Sequence, residues 1–263
     1  MLSDYEMIVH HFPERKDIKI YPVLDVHLGA AEHMMKEWEA FCRRVLDEPN
    51  SYLVLGGDLI ENATRNSVGN PFSALRPREQ KRIMCEMLMP LRNKIICATT
   101  GNHERRSLKD ADNDVTYDIM ARLDLEHLYR ENVAFVKIRI GDVDRSTRNG
   151  SKNPTYVLVV THGFGGGGTF GSAANRATNF AYCIDGADAV IVGHTHKPFV
   201  TQPAKIVIDS RNNNVLIRPF KVVSATSWLS WGGYAAAQML APTSHAPQVM
   251  TLCGTKKEIR VEM

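Results

Sequence analysis

The chain has 263 residues, of which 44% are hydrophobic and 23% charged, and its formal net charge is +3. This composition is typical of a globular protein and excludes a disordered or fibrous chain. Basic and acidic residues are interspersed, so no polybasic block indicates binding to nucleic acid or an anionic membrane, and any specificity for a polyanion has to be local. The length favours one domain over residues 1–263 rather than two.

The cysteines are odd in number and form no C-x-x-C pair; they are Cys42, Cys85, Cys97, Cys183 and Cys253. This pattern is typical of reduced thiols in a cytoplasmic protein. The first residues do not combine a basic region with an apolar one, and no apolar run approaches about 18 residues. We therefore expect a cytoplasmic protein that is neither secreted nor inserted in a membrane.

Strands and helices alternate through most of the chain. Buried strands are predicted at 18–24, 52–55, 95–99, 134–140, 155–160 and 189–192. Amphipathic helices are predicted at 31–47, from about Pro77 to Leu91, at 114–125 and at 172–182. Polar or glycine-rich segments connect them at 61–76, 142–154 and 163–171, and antiparallel β-structure is predicted at 206–209, 215–223 and 249–261. This order indicates an α/β fold.

Five short motifs place an Asp, Asn or His beside glycine directly after an apolar run. They are Asp25-x-His27-Leu28-Gly29, Gly56-Gly57-Asp58, Gly101-Asn102-His103-Glu104, Thr161-His162-Gly163 and Gly193-His194-x-His196. Each is typical of the carboxyl end of a strand that opens into a tight turn, where open α/β sheets place their reacting groups. We expect one site assembled from five loops.

These loops supply seven side chains that bind divalent transition metals: Asp25, His27, Asp58, Asn102, His162, His194 and His196. Seven donors exceed the needs of one tetrahedral site, but two ions that share a bridging carboxylate would use them all. Two ions about 3.5–4 Å apart activate water and clamp a phosphoryl group. His194 and His196 alternate along an extended backbone, so we expect them to serve different ions.

The ordered set of motifs resembles the signature of calcineurin-like metallophosphoesterases over about residues 18–200. The resemblance implies a four-layer α/β/β/α sandwich of two mixed sheets flanked by helices, in which residues 204–263 complete the second sheet. It implies a first ion held by Asp25, His27, Asp58 and His196, and a second held by Asp58, Asn102, His162 and His194. His103 would lie near the scissile phosphate and would stabilise it or protonate the leaving oxygen. The implied reaction is hydrolysis of a phosphate ester by metal-activated hydroxide, without a phosphoenzyme.

Two departures from the family pattern bear on the substrate. Protein Ser/Thr phosphatases follow the bridging aspartate with Asp-Arg-Gly, whereas this chain continues Asp58-Leu59-Ile60. The motif Asp25–Gly29 instead resembles the nuclease subunits of bacterial double-strand-break repair exonucleases, although Glu104 matches the phosphatases. We therefore favour phosphodiesters as the substrate class. The alternatives are a DNA exonuclease or endonuclease with the same site, a phosphomonoesterase, and a non-catalytic binding module, which is disfavoured because no ligand is missing.

Three features of the sequence each allow two interpretations. Arg105 and Arg106 would contact a substrate phosphate or nucleic-acid backbone, or else form a solvated pair. The glycine-rich segment 163–171 is either a flap or a plain connection, and Trp228 with Trp231 either stacks on a base or packs in the core. We expect Mn²⁺, with Fe²⁺ and Zn²⁺ as alternatives, because the donors suit all three. The natural substrate and the oligomeric state stay open.

Overall fold

Two six-stranded sheets form the centre of the protein. The structure is a computed structural model and describes residues 5–64, 67, 75–141, 153–165 and 169–263. The strands are β1 (Ile8–Phe12), β2 (Ile18–Val23), β3 (Ser51–Leu55), β4 (Ile95–Thr99), β5 (Tyr129–Arg130), β6 (Val133–Ile140), β7 (Thr155–Thr161), β8 (Ala189–Val192), β9 (Phe199–Thr201), β10 (Ala204–Asp209), β11 (Asn214–Pro219), β12 (Lys221–Ser224), β13 (Val249–Leu252) and β14 (Ile259–Glu262). The helices are α1 (Met35–Asp47), α2 (Pro77–Leu88), α3 (Glu104–Ala111), α4 (Val115–Arg122), α5 (Phe170–Tyr182) and α6 (Gly233–Ala237).

Both sheets are mixed. The first has the order β1-β6-β7-β8-β12-β9, with β7, β8 and β12 parallel. The second has the order β14-β13-β2-β3-β4-β5, in which β2 to β5 are parallel and β13 runs antiparallel to β2. Parallel neighbours need a crossover connection, and helices lie in the crossovers from β2 to β3, β3 to β4, β4 to β5 and β7 to β8. The expected class of two mixed sheets flanked by helices is confirmed.

One apolar core joins the two sheets, so they face each other. It includes Ile20 and Leu55 of the second sheet with Val136 and Ile191 of the first. Helices cover the outer faces: Trp38, Met84 and Ile119 from α1, α2 and α4 lie in the same core, and α5 buries its small side chains Ala177 and Ala181 against Val190 and Val222 of the first sheet. Along the described part of the chain, no helix is long and apolar enough to cross a membrane.

Two elements lack a prediction from the sequence, and one expectation needs correction. Strand β1 was not predicted, because its sequence IVHHF lacks a clear apolar run. Helix α3 was also missed, since its only buried side chain is that of Glu104. Residues 204–263 do not all enter the second sheet: β12 joins the first sheet, β13 and β14 join the second, and within the described part of the chain β10 pairs with β11 alone. The predicted segments 61–76, 142–154 and 163–171 lie partly outside the described residues.

The two tryptophans of the late segment have different environments. Trp228 is buried, with its ring 5.0 Å from Trp38 and 4.9 Å from Phe41 between centroids. Trp231 is half exposed, and its Nε1 donates to the carbonyl of Leu240 at 2.6 Å. The pair therefore does not form a stacking platform, and Trp228 is a core residue.

Candidate metal centre

The five motifs follow five strands whose carboxyl ends converge. Asp25 and Asp58 follow β2 and β3, Asn102 follows β4, and His162 and His194 follow β7 and β8. Most of these side chains sit on strained backbone: positive φ angles occur at Asp25 (54°), His27 (50°), Asp58 (51°), His194 (67°) and His196 (53°). Non-glycine residues rarely adopt this conformation, and such strain persists where the surrounding structure enforces it, often at functional sites.

Glycines beside the acidic side chains allow the loops to approach one another. A Cβ atom on Gly101 would lie 2.1 Å from Oδ1 of Asp58, and one on Gly193 would lie 2.4 Å from Oδ2 of Asp25. Both contacts are too short for any larger residue without movement of a buried carboxylate. The close approach of these carboxylates thus explains Gly101 and Gly193.

Asp25, His27 and His196 form a first group, which we call the Asp25 group. Nε2 of His196 lies 3.3 Å from Oδ1 of Asp25 and 3.2 Å from Nε2 of His27. The backbone N–H of His194 donates to Oδ2 of Asp25 at 2.8 Å and fixes the carboxylate. Three donor atoms thus point at one small space.

Asp58, Asn102, His162 and His194 form a second group, which we call the His162 group. Nε2 of His162 lies 3.2 Å from Oδ2 of Asp58. Oδ1 of Asn102 lies 2.9 Å from that nitrogen and 2.6 Å from Nδ1 of His194. Oδ2 of Asp58 is also 3.7 Å from Nε2 of His27, so Asp58 lies between the two groups.

Burial and charge set the protonation of these groups. Burial would raise the pKa of Asp58, but His162 and His103 lower it well below its usual range. Burial would lower the pKa of His162, yet the carboxylates of Asp58 and Asp25 raise it to about 10. Burial and the charge of His103 lower the pKa of His27 to about 4. His27 is therefore neutral with a free lone pair, as a metal ligand must be.

The donor set fits divalent cations. Two buried carboxylates, an amide oxygen and imidazole nitrogens converge, and the attraction that holds a proton on His162 would equally hold a cation. Oxygen and imidazole donors in this number suit divalent transition metals. The Asp25 and His162 groups therefore indicate a divalent metal site.

Glu61 supports the site and was not singled out from the sequence. Its Oε2 accepts from Nδ1 of His27 at 3.1 Å and lies 3.3 Å from Nδ1 of His103. Burial would raise the pKa of Glu61, but its contacts with these two histidines lower it strongly. Carboxylates that bind the second nitrogen of a ligating histidine fix its tautomer and orientation. No local pattern marks Glu61, because its role depends on contacts across the fold.

Glu104 holds the loops that carry Asp58 and Asn102. Its side chain is fully buried and accepts four backbone N–H groups. Oε2 accepts from Asp58 at 2.9 Å and Gly101 at 3.0 Å, and Oε1 accepts from Leu59 at 2.6 Å and Ile60 at 3.1 Å. The glutamate of the third motif is thus a structural clamp between the second and third loops.

His103 lies beside His27 and Asp58 and next to Arg106, with its ring centroid 4.4 Å from that of His27. Its Nδ1 donates to the carbonyl of Glu61 at 2.8 Å, and its Nε2 accepts from Nη2 of Arg106 at 2.9 Å. Burial would lower the pKa of His103, but Asp58 and Glu61 raise it. Arg105 points elsewhere, because its Nη2 donates to Oδ1 of Asn132 at 2.6 Å. The two arginines are therefore not equivalent, and Arg106 is the one at the site.

The chain is similar to a known protein family and to solved structures. The model of the family described as calcineurin-like phosphoesterase matches residues 24–198. A conserved uncharacterised protein from Streptococcus pneumoniae TIGR4, described as a predicted phosphoesterase, is 13% identical in sequence, with 93% of this chain and 88% of that chain covered and a TM-score of 0.40. A metallophosphoesterase from Sphaerobacter thermophilus is 16% identical, with 89% and 83% covered and a TM-score of 0.38. The comparison with curated proteins gave no match. Because the family model spans well over half of the sequence and includes all five motifs, the chain belongs to the calcineurin-like phosphoesterase family.

Proposed function

We propose that the protein hydrolyses phosphodiesters with two divalent metal ions, of which Mn²⁺ is our first choice and Fe²⁺ or Zn²⁺ the alternatives. Asp25, His27 and His196 would hold one ion, Asn102, His162 and His194 the other, and Asp58 both. Two ions bound there would activate water and neutralise charge on the phosphoryl group. The position of Asp58 between the two groups supports the two-ion site, since its Oδ2 faces His162 and His27 together. The choice of phosphodiesters rests on the sequence Asp58-Leu59-Ile60, which lacks Asp-Arg-Gly, and on the nuclease-like motif Asp25–Gly29.

His103 and Arg106 would act on the substrate itself. In the structure, Arg106 donates to Nε2 of His103, so this nitrogen carries no proton while the contact lasts. A substrate phosphate would draw the guanidinium towards its own oxygens, because charge-assisted bonds to phosphate are strong. Nε2 of His103, released from the guanidinium, would take up a proton from solvent, which the raised pKa of this ring favours, and would pass it to the leaving oxygen while Nδ1 still donates to the carbonyl of Glu61.

A DNA nuclease is the second candidate function, and two basic cavities favour it. They have volumes of about 370 and 400 Å³, and Arg78 and Arg122 line both. Asn62 lines the first cavity and donates to the carbonyl of His103 at 2.8 Å, which places the cavity next to the candidate metal centre. Further cations around them are Arg76, Lys81 and Arg82, of which Lys81 is paired with Asp118 and Arg82 with Glu86, and Glu79 also lines the second cavity. Such a cationic surface suits the phosphates of a longer polyanion.

A substrate panel tests the proposed function. Purified protein with Mn²⁺ would be assayed on p-nitrophenyl phosphate, its bis ester, cyclic nucleotides, single-stranded DNA and duplex DNA. We expect diesters to be cleaved faster than the monoester at saturating metal. A clear preference for the monoester over every diester would contradict the choice of phosphodiesters and favour a phosphomonoesterase.

The nuclease candidate has its own test. If DNA phosphates occupy the basic cavities, an Arg78→Ala/Arg122→Ala variant should bind DNA less tightly and reduce the slope of log affinity against log salt by about one per residue. Lys36→Ala/Arg43→Ala is a matched control, because it removes the same charge from helix α1. Equal salt slopes in both variants would reject the cavities as a DNA site.

All five cysteines are free, and on this basis we place the protein in the cytoplasm.

A further inference from the structure

The ribbon formed by β10 and β11 extends beyond the first sheet as a continuation of the β9–β12 pair, joined to it by the bond from the N–H of Phe220 to the carbonyl of Pro203. Among the described residues, Ala204–Asp209 and Asn214–Pro219 pair with each other and with no other strand. One face carries two cross-strand apolar pairs, Ile206 with Ile217 and Ile208 with Val215. These four side chains are between 71% and 77% exposed. An uncharged, β-branched surface of this kind indicates an interaction site rather than an ordinary solvated strand.

The opposite face of the ribbon carries its charged groups. Lys205 and Asp209 alternate with the isoleucines along β10, and the ammonium of Lys205 donates to the carbonyl of Ile184 at the end of α5. This contact turns the charged face towards the body of the protein. The ribbon is therefore amphipathic, but with its apolar face directed outwards.

The edge of β10 that faces away from β11 continues the open edge of β9 in the first sheet. Strand β9 is the last strand of the first sheet, and β10 follows it after two residues. Among the described residues, β10 has no strand partner except β11. Two-stranded ribbons are marginally stable in water, and open edges are templates for pairing with another strand. The ribbon would gain support from a further strand.

The sequence of β10 matches itself in antiparallel orientation. If two copies pair about Val207, Lys205 of one copy lies opposite Asp209 of the other, and Ile206 lies opposite Ile208. Charges of opposite sign and apolar side chains are thereby matched at every position, which stabilises cross-strand pairs. The same operation on β11 about Leu216 places Arg218 opposite Asn214 and matches no charge. The complementarity therefore favours β10 and a second copy of this chain.

We propose that the protein forms a symmetric dimer in which the β10 strands of two copies pair antiparallel about Val207. The pairing joins the two protruding ribbons into one four-stranded sheet. The isoleucines of the two copies become neighbours on its apolar face.

Sedimentation velocity over a range of protein concentrations tests the dimer. The wild type should sediment as a dimer, and Ile206→Ser/Ile208→Ser should shift it to the monomer while far-ultraviolet circular dichroism stays unchanged. Val9→Ser is the matched control, because Val9 is an exposed valine on β1, the other edge strand of the first sheet. A wild type that stays monomeric at every concentration, or a control that dissociates equally, would overturn the proposal.

Disulfide trapping tests the register. In a Cys183→Ser background, which removes the exposed native thiol, Val207→Cys should give an intermolecular disulfide under mild oxidation, because opposed Cα atoms about 4.5–5.5 Å apart suit a disulfide. Leu216→Cys is the control, since Leu216 is the partner of Val207 on β11. Cross-linking at 207 alone supports pairing through β10. No cross-link at 207, or equal cross-linking at 216, would overturn it.

Discussion

The backbone N–H of His103 donates to Oδ1 of Asp58 at 2.8 Å and so joins the second motif to the third. This bond leaves Oδ2 of Asp58 turned towards His162 at 3.2 Å and His27 at 3.7 Å. One oxygen of the carboxylate thus fixes its position, and the other faces both metal-binding groups. A single side chain links the Asp25 group to the His162 group.

Asp58→Asn should lower metal binding and activity together. The substitution removes the negative charge shared by both groups, so we expect metal affinity to fall by more than the factor of about 10–100 seen when a residue only orients a ligand. Metal content would be measured by mass spectrometry of dialysed protein, and activity on the best diester of the panel. Asp47→Asn, on the exposed end of α1, is the control. Full activity of the wild type in EDTA, or unchanged turnover of Asp58→Asn, would contradict the prediction.

His103→Ala should separate the action of His103 from metal binding. If His103 protonates the leaving oxygen, the variant should keep its metal content but lose about 10²–10⁴-fold in rate on alkyl or nucleotide esters. The loss should be smaller on p-nitrophenyl esters, because that leaving group needs little protonation. Equal losses on both kinds of ester would favour electrostatic stabilisation instead.

Glu61→Gln should weaken the site without direct removal of a ligand. The carboxylate of Glu61 accepts from Nδ1 of His27 and thereby directs Nε2 of that ring towards the Asp25 group. A neutral amide holds the ring less firmly, and we expect metal affinity to fall about 10–100-fold. Isothermal titration calorimetry with Mn²⁺ would measure this loss of metal affinity. Glu37→Gln, on the exposed face of α1, should bind metal as the wild type does.

The parts of the protein that the sequence predicted correctly are those with local signals. Each of the five motifs combines a buried apolar run with a glycine turn, and both features lie within a few residues of the donor. The structure brings their side chains together, as at Asp58 and His162. These features can be predicted because strand ends and tight turns depend on the sterics of neighbouring residues.

The features that escaped prediction depend on long-range contacts. Glu61 contacts His27 and His103, which are 34 and 42 residues away along the chain. Helix α3 has no apolar stripe that would predict it. It is held in place by the four backbone N–H groups that donate to the side chain of Glu104. The pairing of β12 with the first sheet and β13 with the second is likewise a choice between distant strands. Hydrophobic periodicity carries no information about such contacts.

Acid should destabilise the protein in part through His10. Its ring lies between the two sheets, where Nε2 donates to the carbonyl of Ile96 at 2.8 Å. Burial and the charge of His127 lower the pKa of His10, against the opposing effect of the Ile96 carbonyl. The unfolded chain therefore binds the proton more readily than the folded one, and stability falls as the pH drops below about 6.5.

A His10→Gln variant isolates this contribution, since glutamine keeps a donor but does not titrate. The wild type should lose more free energy of unfolding than the variant between about pH 8 and pH 5. Urea denaturation at each pH would measure both proteins. Parallel stability profiles would show that His10 does not contribute to acid sensitivity.

Glu104→Gln should cost stability even without metal. The buried carboxylate accepts from Asp58 and Gly101 through Oε2 and from Leu59 and Ile60 through Oε1. Glutamine can replace only one of these oxygens, and its amide group would face two N–H groups that then lack an acceptor. Each buried N–H without a partner costs about 1–3 kcal/mol. Denaturation in EDTA would measure the loss of unfolding free energy. Glu39→Gln on the exposed face of α1 is the control, because surface substitutions usually change the free energy of unfolding by less than about 0.5 kcal/mol. If Glu104→Gln unfolded with the same free energy as this control, Glu104 would not be the clamp between the two loops.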